Sequence, residues 1–482
     1  MLPRTLRKTL KSCRSRPLVV ASFVFIVLLY HLWQTHSITA ADTPSTLLHS
    51  SPLNCPKSPL VDDVLVVVRT GATEVLEKLP VHFDTVLKCV PDYIIYSDFE
   101  EDVAGHHVYD VLNQTSDHVR ETVPEFWLYN KLRSTGRKDL EYQTLFGSGP
   151  AGAQDNPGWK LDKWKFMPMA DRALQHRPDA KWFVFVEPDT YMVWQNVLTY
   201  LSQLEHRKPY YLGRHMYIGK VLFAHGGSSF MISNAAMKMV TTYWREKQDW
   251  FDDYTAKEWA GDMILGRAMA DINIPLVSAA PHVQGDSLTS VDWTLNKQDK
   301  PPWCYAPLSF HHMTEREFHI LWQFENAWLH HNKGNAVLRF RDVFKNVIHP
   351  RLQAERINWD NLSGGTEYSR SALSKTEREA QVSFKHCQAA CESKPSCIQY
   401  SHVPGKCVLS NELRLGHEAE SRCLEYSSVA NKCIKMEEKG DSNTASKDGS
   451  FVSSGWIMDR VMDASKQMDK ACQSPEGNDW VH

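Results

Sequence analysis

Trp182-Phe183-Val184-Phe185-Val186-Glu187-Pro188-Asp189-Thr190-Tyr191 is the stretch from which the fold is read. Five unbroken apolar residues end in two acids separated by a proline. An apolar run this short reads as a strand buried on both faces, the kind found inside parallel sheets. In open α/β sheets, ligands bind just beyond the carboxyl ends of such strands. Glu187 and Asp189 stand at that end, where two carboxylates can share a divalent cation and the cation can hold a diphosphate. A second reading stays open: Pro188-Asp189-Thr190 is also a turn sequence, and Asp189 or Thr190 can cap the next helix.

Outward from this stretch, strands alternate with helices. Val64-Leu65-Val66-Val67-Val68 is a buried strand closed by Arg69-Thr70-Gly71, and residues 72–79 read as helix. Tyr93-Ile94-Ile95-Tyr96 is a second strand, ending in Ser97-Asp98. A helix is expected within 163–177, starting late or kinked because of Pro168, and another at about 193–205. Strands follow at 210–212 and 229–232, and Ser233 caps a helix running to Trp244. This alternation predicts an α/β fold with a doubly wound, mostly parallel sheet. The Gly-, Pro-, Ser- and Asn-rich segment 140–160 reads as a long loop, either a functional lid or a disordered insertion.

The 482 residues leave room for two or three domains. With a net charge of -3 and 11% aromatics, nothing suggests a nucleic-acid binder or a disordered acidic chain. The charge is uneven: Arg4, Arg7, Lys8, Lys11, Arg14 and Arg16 crowd the start without an acid, and an apolar run at 18–33 follows. A basic flank and then an apolar stretch reads as a signal peptide or signal anchor. Thr39-Ala40-Ala41 is a possible cleavage site, but an uncleaved anchor is favoured. The expected layout is a cytosolic tail at 1–16, a transmembrane anchor at 17–34 and a Ser/Thr/Pro-rich stem at 35–59. A globular domain spans 60–350. Such a type II membrane protein has everything after about residue 34 in the lumen.

Of 11 cysteines, only Cys13 falls on the cytosolic side, and six lie at 387–433. An even luminal set is consistent with a disulfide framework. Asn113-Gln114-Thr115 and Asn361-Leu362-Ser363 are glycosylation acceptors in that compartment. Cys387-x3-Cys391-x5-Cys397-x9-Cys407 marks a stapled module at 375–435. The tail at 436–482 holds a polar linker at 438–454 and an amphipathic helix at 456–468.

Residues 182–233 resemble the fringe-like, core-1-type β-1,3-glycosyltransferases, inverting metal-dependent Golgi enzymes of the glycosyltransferase-A fold. Trp182-Phe183 precedes Glu187-Pro188-Asp189-Thr190-Tyr191, where that family usually has three aspartates followed by Thr/Asn-Tyr. Pro209-Tyr210-Tyr211-Leu212-Gly213-Arg214 and Gly226-Gly227-Ser228-Ser229-Phe230-Met231-Ile232-Ser233 follow in order. Gly261-Asp262-Met263-Ile264-Leu265-Gly266-Arg267 and Ser309-Phe310-His311 come later. The likeness covers roughly 60–330. It implies that Asp189, Glu187 and His311 ligate Mn²⁺ or Mg²⁺, with His312 next door leaving the register open. It also implies that Asp262 is the general base, unless it serves as a helix cap. Its companion acid is Gly261 here, and Pro188 replaces the middle carboxylate.

The donor implied is a UDP-sugar and the acceptor a glycan hydroxyl. Arg69, Thr70, Asp98, Lys163, Lys165, Arg214, Gly226 and Gly227 are the expected donor contacts. Solvated lysines and a plain tight turn are the alternatives for Lys163, Lys165 and the two glycines. Trp259 and Trp293 are read as core residues that can also stack on acceptor sugar. The stapled module resembles a PAN/apple domain, which implies a protein or carbohydrate partner. A rival reading is a non-catalytic sugar-binding protein on a decayed transferase scaffold, and another is a chaperone for an active transferase.

Overall fold

The computed structural model describes residues 53–139, 156–294, 302–332, 336–369, 374–419, 423–427, 432–436, 452–472 and 480. The expected cytosolic tail, anchor, most of the stem, nearly all of the 140–160 loop and most of the polar linker lie outside these residues. No helix among the described residues is long and apolar enough to cross a membrane.

The opening stretch forms β5 of an eight-stranded sheet. In chain order the sheet comprises β1 (Val64–Arg69), β2 (Tyr93–Ser97), β3 (Glu101–Val103), β4 (His106–Asp110) and β5 (Trp182–Val186). After a short β6 (Tyr191–Met192) outside that sheet come β7 (Tyr211–Gly213), a hairpin of β8 (His215–Ile218) and β9 (Val221–Ala224), and β10 (Phe230–Ser233). Next are β11 (Leu276–Ser278) and β12 (Ser309–Phe310). The spatial order is β11-β7-β10-β5-β1-β2-β4-β3. β1 pairs in parallel with β2 on one side and β5 on the other, while β10 runs antiparallel to β5 and β7. The sheet is therefore mostly parallel, as expected from the unbroken apolar runs.

Why those runs suit a doubly covered sheet is visible in their packing. Val64, Val66, Val68, Trp182, Val184 and Val186 enter one apolar cluster, with helix Trp194–Ser202 and Phe318 and Leu321 of helix Glu315–His331. Leu65, Val67, Phe183 and Phe185 enter a second cluster with helices Phe166–His176, Asn234–Glu246 and Gly261–Asp271. Alternate residues of one strand point to opposite faces, so only a strand apolar at every position can feed two cores. Pro168 lies in the first turn of helix Phe166–His176, where its missing N–H costs nothing. Ser233 caps helix Asn234–Glu246 by accepting the Ala236 N–H.

The C-terminal part is not a separate bead. Its five-stranded sheet runs Arg356–Ile357, Ser453–Trp456, Gln399–Val403, Lys406–Ser410, Thr366–Ser369. The expected boundaries at 375, 435 and 436 thus cut through one sheet, and Trp456 belongs to its strand while the final helix is Met458–Ala471. Cys387–Cys407 staples helix Phe384–Glu392 to this sheet, and Cys391–Cys397 ties it to the turn before strand Gln399–Val403. The Arg460 guanidinium donates to the carbonyls of Cys391, Glu392, Lys394 and Cys397, satisfying groups a helix end leaves open. Leu413, Leu415, Trp456 and Val461 join the same apolar cluster as Phe310 and Phe344. Cys304–Cys472 and Cys55–Cys89 are the remaining disulfides among the described residues.

Of the two sequons, Asn113 is exposed. Asn361 is fully buried, and its amide donates to the carbonyls of Tyr400 and Gly455. The folded chain has no space for a glycan there, because that side chain is part of the module's interior.

Candidate active site

Two neighbouring strands of the sheet, β1 and β5, are followed by connections that leave in opposite directions, toward β2 and toward β10. A crevice opens beyond their carboxyl ends at such a switch point. The described residues form a cavity of about 290 Å³ there, lined by Arg69 from β1 and by Glu187 and Asp189 after β5.

The turn after β5 is real: the Thr190 N–H donates to the Glu187 carbonyl. It does not cap the next helix, whose N-cap residue is Val193 without a side-chain bond. Thr190 instead donates its hydroxyl to the Gly227 carbonyl, 2.6 Å away. That leaves Asp189 facing inward. β12 pairs with β6 through Ser309 with Met192 and Phe310 with Tyr191, which carries the next residue, His311, beside Asp189. His311 Nε2 lies 3.3 Å from Asp189 Oδ1 and 3.6 Å from Glu187. His312, in a left-handed backbone conformation at φ 57°, brings Nδ1 to 3.8 Å from Asp189 Oδ2. Both histidines of the uncertain register therefore reach the same carboxylate.

Electrostatics in this corner are tightly matched. Burial pushes the Glu187 carboxyl up, but Arg69 and His311 overcome that and hold it at about 2. Asp189 is likewise held well below the ordinary range, against burial, by His311, His312 and Lys78. Burial opposes protonation of His311, and Asp189 and Glu187 nevertheless raise it to about 9. Lys78 Nζ sits 3.0 Å from Glu74 and 3.3 Å from Asp189. Arg69 pairs with both Asp162 and Glu187 and lies over the Phe166 ring. Lys163 pairs with Glu125, and the buried Lys165 with Asp98 and Asp162.

A family model described as Fringe-like matches residues 60–325, more than half the chain. The chain belongs to the Fringe-like family. It is accordingly a glycosyltransferase. A glycosyltransferase involved in the glycosylation of the major capsid of PBCV-1 is similar to 54% of this chain and 98% of its own, at 11% identity and a TM-score of 0.24.

The transferase cavity gathers Arg69, Lys163, Lys165, Glu187, Asp189, Gly227, Asp262 and His311, all expected from sequence. It does not gather four others, of which Gly226 is outside the lining and gives its N–H to Asp262. Thr70 is buried under the sheet end and gives its carbonyl to Lys165. Asp98 is fully buried, bonded by the Ala72 N–H and Ser97, and so turned away from any ribose. Arg214 packs against Gly285 and is not part of the lining. Of the two tryptophans, Trp293 is core, whereas Trp259 is 57% exposed at the cavity rim.

Asp189, His311 and His312 offer three ligand atoms lying within 4.8 Å of one another. Glu187 is outside that group, drawn off by Arg69. Asp189 Oδ1 faces His311 Nε2 at 3.3 Å, and His311 Nδ1 is buried without a hydrogen-bond partner, an arrangement a protein tolerates where a cation completes it. One carboxylate oxygen and imidazole nitrogens suit Mn²⁺, and Mg²⁺ less well. Gly227 is what makes the arrangement possible, since a Cβ there would lie 2.2 Å from the His311 ring.

Asp262 is not the cap of helix Gly261–Asp271; that position is Ala260. Its two oxygens accept the N–H groups of Gly226 and Met263, each at 2.9 Å. Burial raises its carboxyl to about 6, against the pull of the Gly226 N–H and Arg69. Gly261 carries no acid for a steric reason: a Cβ would meet Phe166 at 2.3 Å and Lys163 backbone at 2.8 Å. Sequence reasoning missed Glu74, Lys78, Asp162 and His225, all in the lining. Glu74 and Lys78 carried a signal, being an i, i+4 acid–base pair on the segment following β1.

Proposed function

We propose that the chain is an inverting, metal-dependent glycosyltransferase that moves a hexose or N-acetylhexosamine from a UDP-sugar to a glycan hydroxyl, in a β-1,3 linkage. The observation that carries this is the Asp189–His311–His312 group at the sheet's switch point, whose ligand atoms lie within 4.8 Å of one another. Each lysine and arginine lining the cavity already faces a carboxylate. A diphosphate entering there needs a further cation, and these three residues would hold it. When bound, Mn²⁺ or Mg²⁺ supplies Lewis-acid stabilisation of the charge that develops on the departing UDP.

Asp262 takes the proton from the attacking hydroxyl. The two backbone N–H groups fix its orientation, and a carboxyl titrating at about 6 is ionised at neutral pH yet more basic than an ordinary aspartate. Glu187 keeps Arg69 turned into the cavity. Four disulfides among the described residues support an oxidising lumen, and with the N-terminal basic and apolar segments they favour a type II protein of the Golgi or ER membrane. The stapled C-terminal part is proposed to hold a glycan or protein partner.

Thermal stabilisation by a panel of UDP-sugars, with and without Mn²⁺, tests the donor site. Asp189→Ala is expected to abolish the metal-dependent shift, whereas Asp262→Asn keeps the shift and stops turnover. Equal donor affinity in wild type and Asp189→Ala would refute the metal assignment. The rival sugar-binding reading, which rests on Pro188 and Gly261, predicts no Mn²⁺-dependent UDP-sugar hydrolysis at all.

A further inference from the structure

Part of the cavity lining is made of different material. Trp159 and Trp259 stand at its rim with ring centroids 6.1 Å apart and planes at 22°. Met216 and Ile218, on the β8–β9 hairpin, continue the same wall. Trp259 is 57% exposed and Met216 40%, so this apolar surface is presented to solvent at the mouth of an otherwise charged cavity.

Its footing is firm. Phe223 of β9 is buried against Ala260 and Met263, which fixes the hairpin on helix Gly261–Asp271. Each tryptophan also lies three residues before an acid of the cavity: Trp159 before Asp162, and Trp259 before Asp262. Helix Pro157–Asp162 places the first pair on one face. A short link joins Trp259 to the helix bearing Asp262.

We infer that the Trp159–Trp259 ledge is the acceptor subsite, and that the acceptor is a pyranoside whose C–H face stacks on these rings. This rests on the transferase reading of the neighbouring cavity and adds the acceptor's place and chemistry to it. A pyranose is apolar on its ring faces and polar around its rim. An aromatic ledge therefore takes its face while leaving the hydroxyls free to point elsewhere. Trp259 lines the same cavity as Asp262, the group assigned to receive the proton of the attacking hydroxyl. A peptide hydroxyl has no such face to offer, and a uracil ring would compete for the ledge only if the donor base lay on this side.

The test is a fluorescence titration of the wild-type protein, without donor or metal, with methyl β-galactopyranoside, methyl α-mannopyranoside and methyl N-acetyl-α-galactosaminide. At least one is expected to quench the indole emission. Trp259→Ala weakens that binding roughly tenfold, and Trp259→Phe restores most of it. Turnover of the same acceptor should show a raised KM for acceptor in Trp159→Ala and Trp259→Ala, with the Mn²⁺-dependent UDP-sugar stabilisation unchanged. Absence of quenching by every glycoside, or equal affinity in Trp259→Ala, overturns the subsite. A loss of UDP affinity in Trp259→Ala overturns it too, by giving the ledge to the nucleotide base. Because the titration needs neither donor nor metal, loss of the Mn²⁺ effect alone would overturn the metal-dependent donor reading and leave the sugar ledge standing.

Discussion

One methyl group at position 227 would occupy the space of the His311 ring, so the bare glycine and the histidine form one device. The same economy governs Asp262. Its oxygens are spoken for by two backbone donors, and burial lifts its carboxyl from 3.8 to about 6. A base must be ionised to act, so kcat/KM is expected to rise with pH and level off above about 6. A pH–rate profile of the wild type checks this. Asp262→Asn should leave a residual rate at least a hundredfold lower and without that inflection. A wild-type profile flat through this window would remove Asp262 from the role of base.

At the scale of elements, the two-residue pairing of β6 with β12 does more than its length suggests. It is what brings His311 to Asp189 across more than a hundred residues of chain. The pairing is buttressed by helix Glu315–His331, whose buried Glu325 accepts the Tyr191 hydroxyl at 2.6 Å. The backbone N–H groups of Trp194 and Gln195, at the start of helix Trp194–Ser202, also bond Glu325. Burial nevertheless raises this carboxyl from 4.5 to about 7. The folded chain holds the proton more tightly than the unfolded one. The stabilisation is therefore complete below pH 4.5 and lost as pH climbs through about 7, by about 3 kcal/mol. Glu325→Gln keeps an acceptor for Tyr191 and cannot ionise. Urea unfolding should find it close to wild type near pH ~4.5 and more stable above pH ~7.5. Identical pH dependence in both proteins would show that Glu325 does not titrate in this window.

The whole molecule is closed by a covalent tie between distant parts. Cys304–Cys472 spans 168 residues, and around it Trp303 donates to Asp469 at 3.0 Å while Lys345 pairs with Asp469 at 2.6 Å. Removing the tie in Cys304→Ser/Cys472→Ser should cost about 2–4 kcal/mol of stability, because the unfolded chain regains a long loop's freedom. Chemical unfolding checks it, and an unchanged midpoint would mean that packing alone holds the C-terminal helix. The Leu413 N–H also donates to Asp292 and its carbonyl accepts from the Trp293 N–H, next to the segment whose Asp286 carbonyl receives the His311 N–H. The segment after strand Lys406–Ser410 thus supports the backbone behind His311.

Local order in the sequence was enough for the doubly wound sheet: unbroken apolar runs at 64–68 and 182–186 can be satisfied only by cover on both faces. The acids following β5 and the arginine ending β1 were legible for the same reason, since strand ends fix where ligands meet an α/β sheet. Tertiary structure alone decided which of them converge. Asp98 and Thr70 end or follow strands just as Arg69 does, yet they are buried behind the lining, where Lys165 meets the Thr70 carbonyl and the Asp98 carboxylate. His312 meets Asp189 through a left-handed backbone residue, Trp259 stands beside the Trp159 ring, and Asn361 is closed to glycans because its amide is taken by Tyr400 and Gly455. Each of these outcomes depends on contacts between residues far apart in the chain, and a one-dimensional pattern carries no record of which distant surface will arrive.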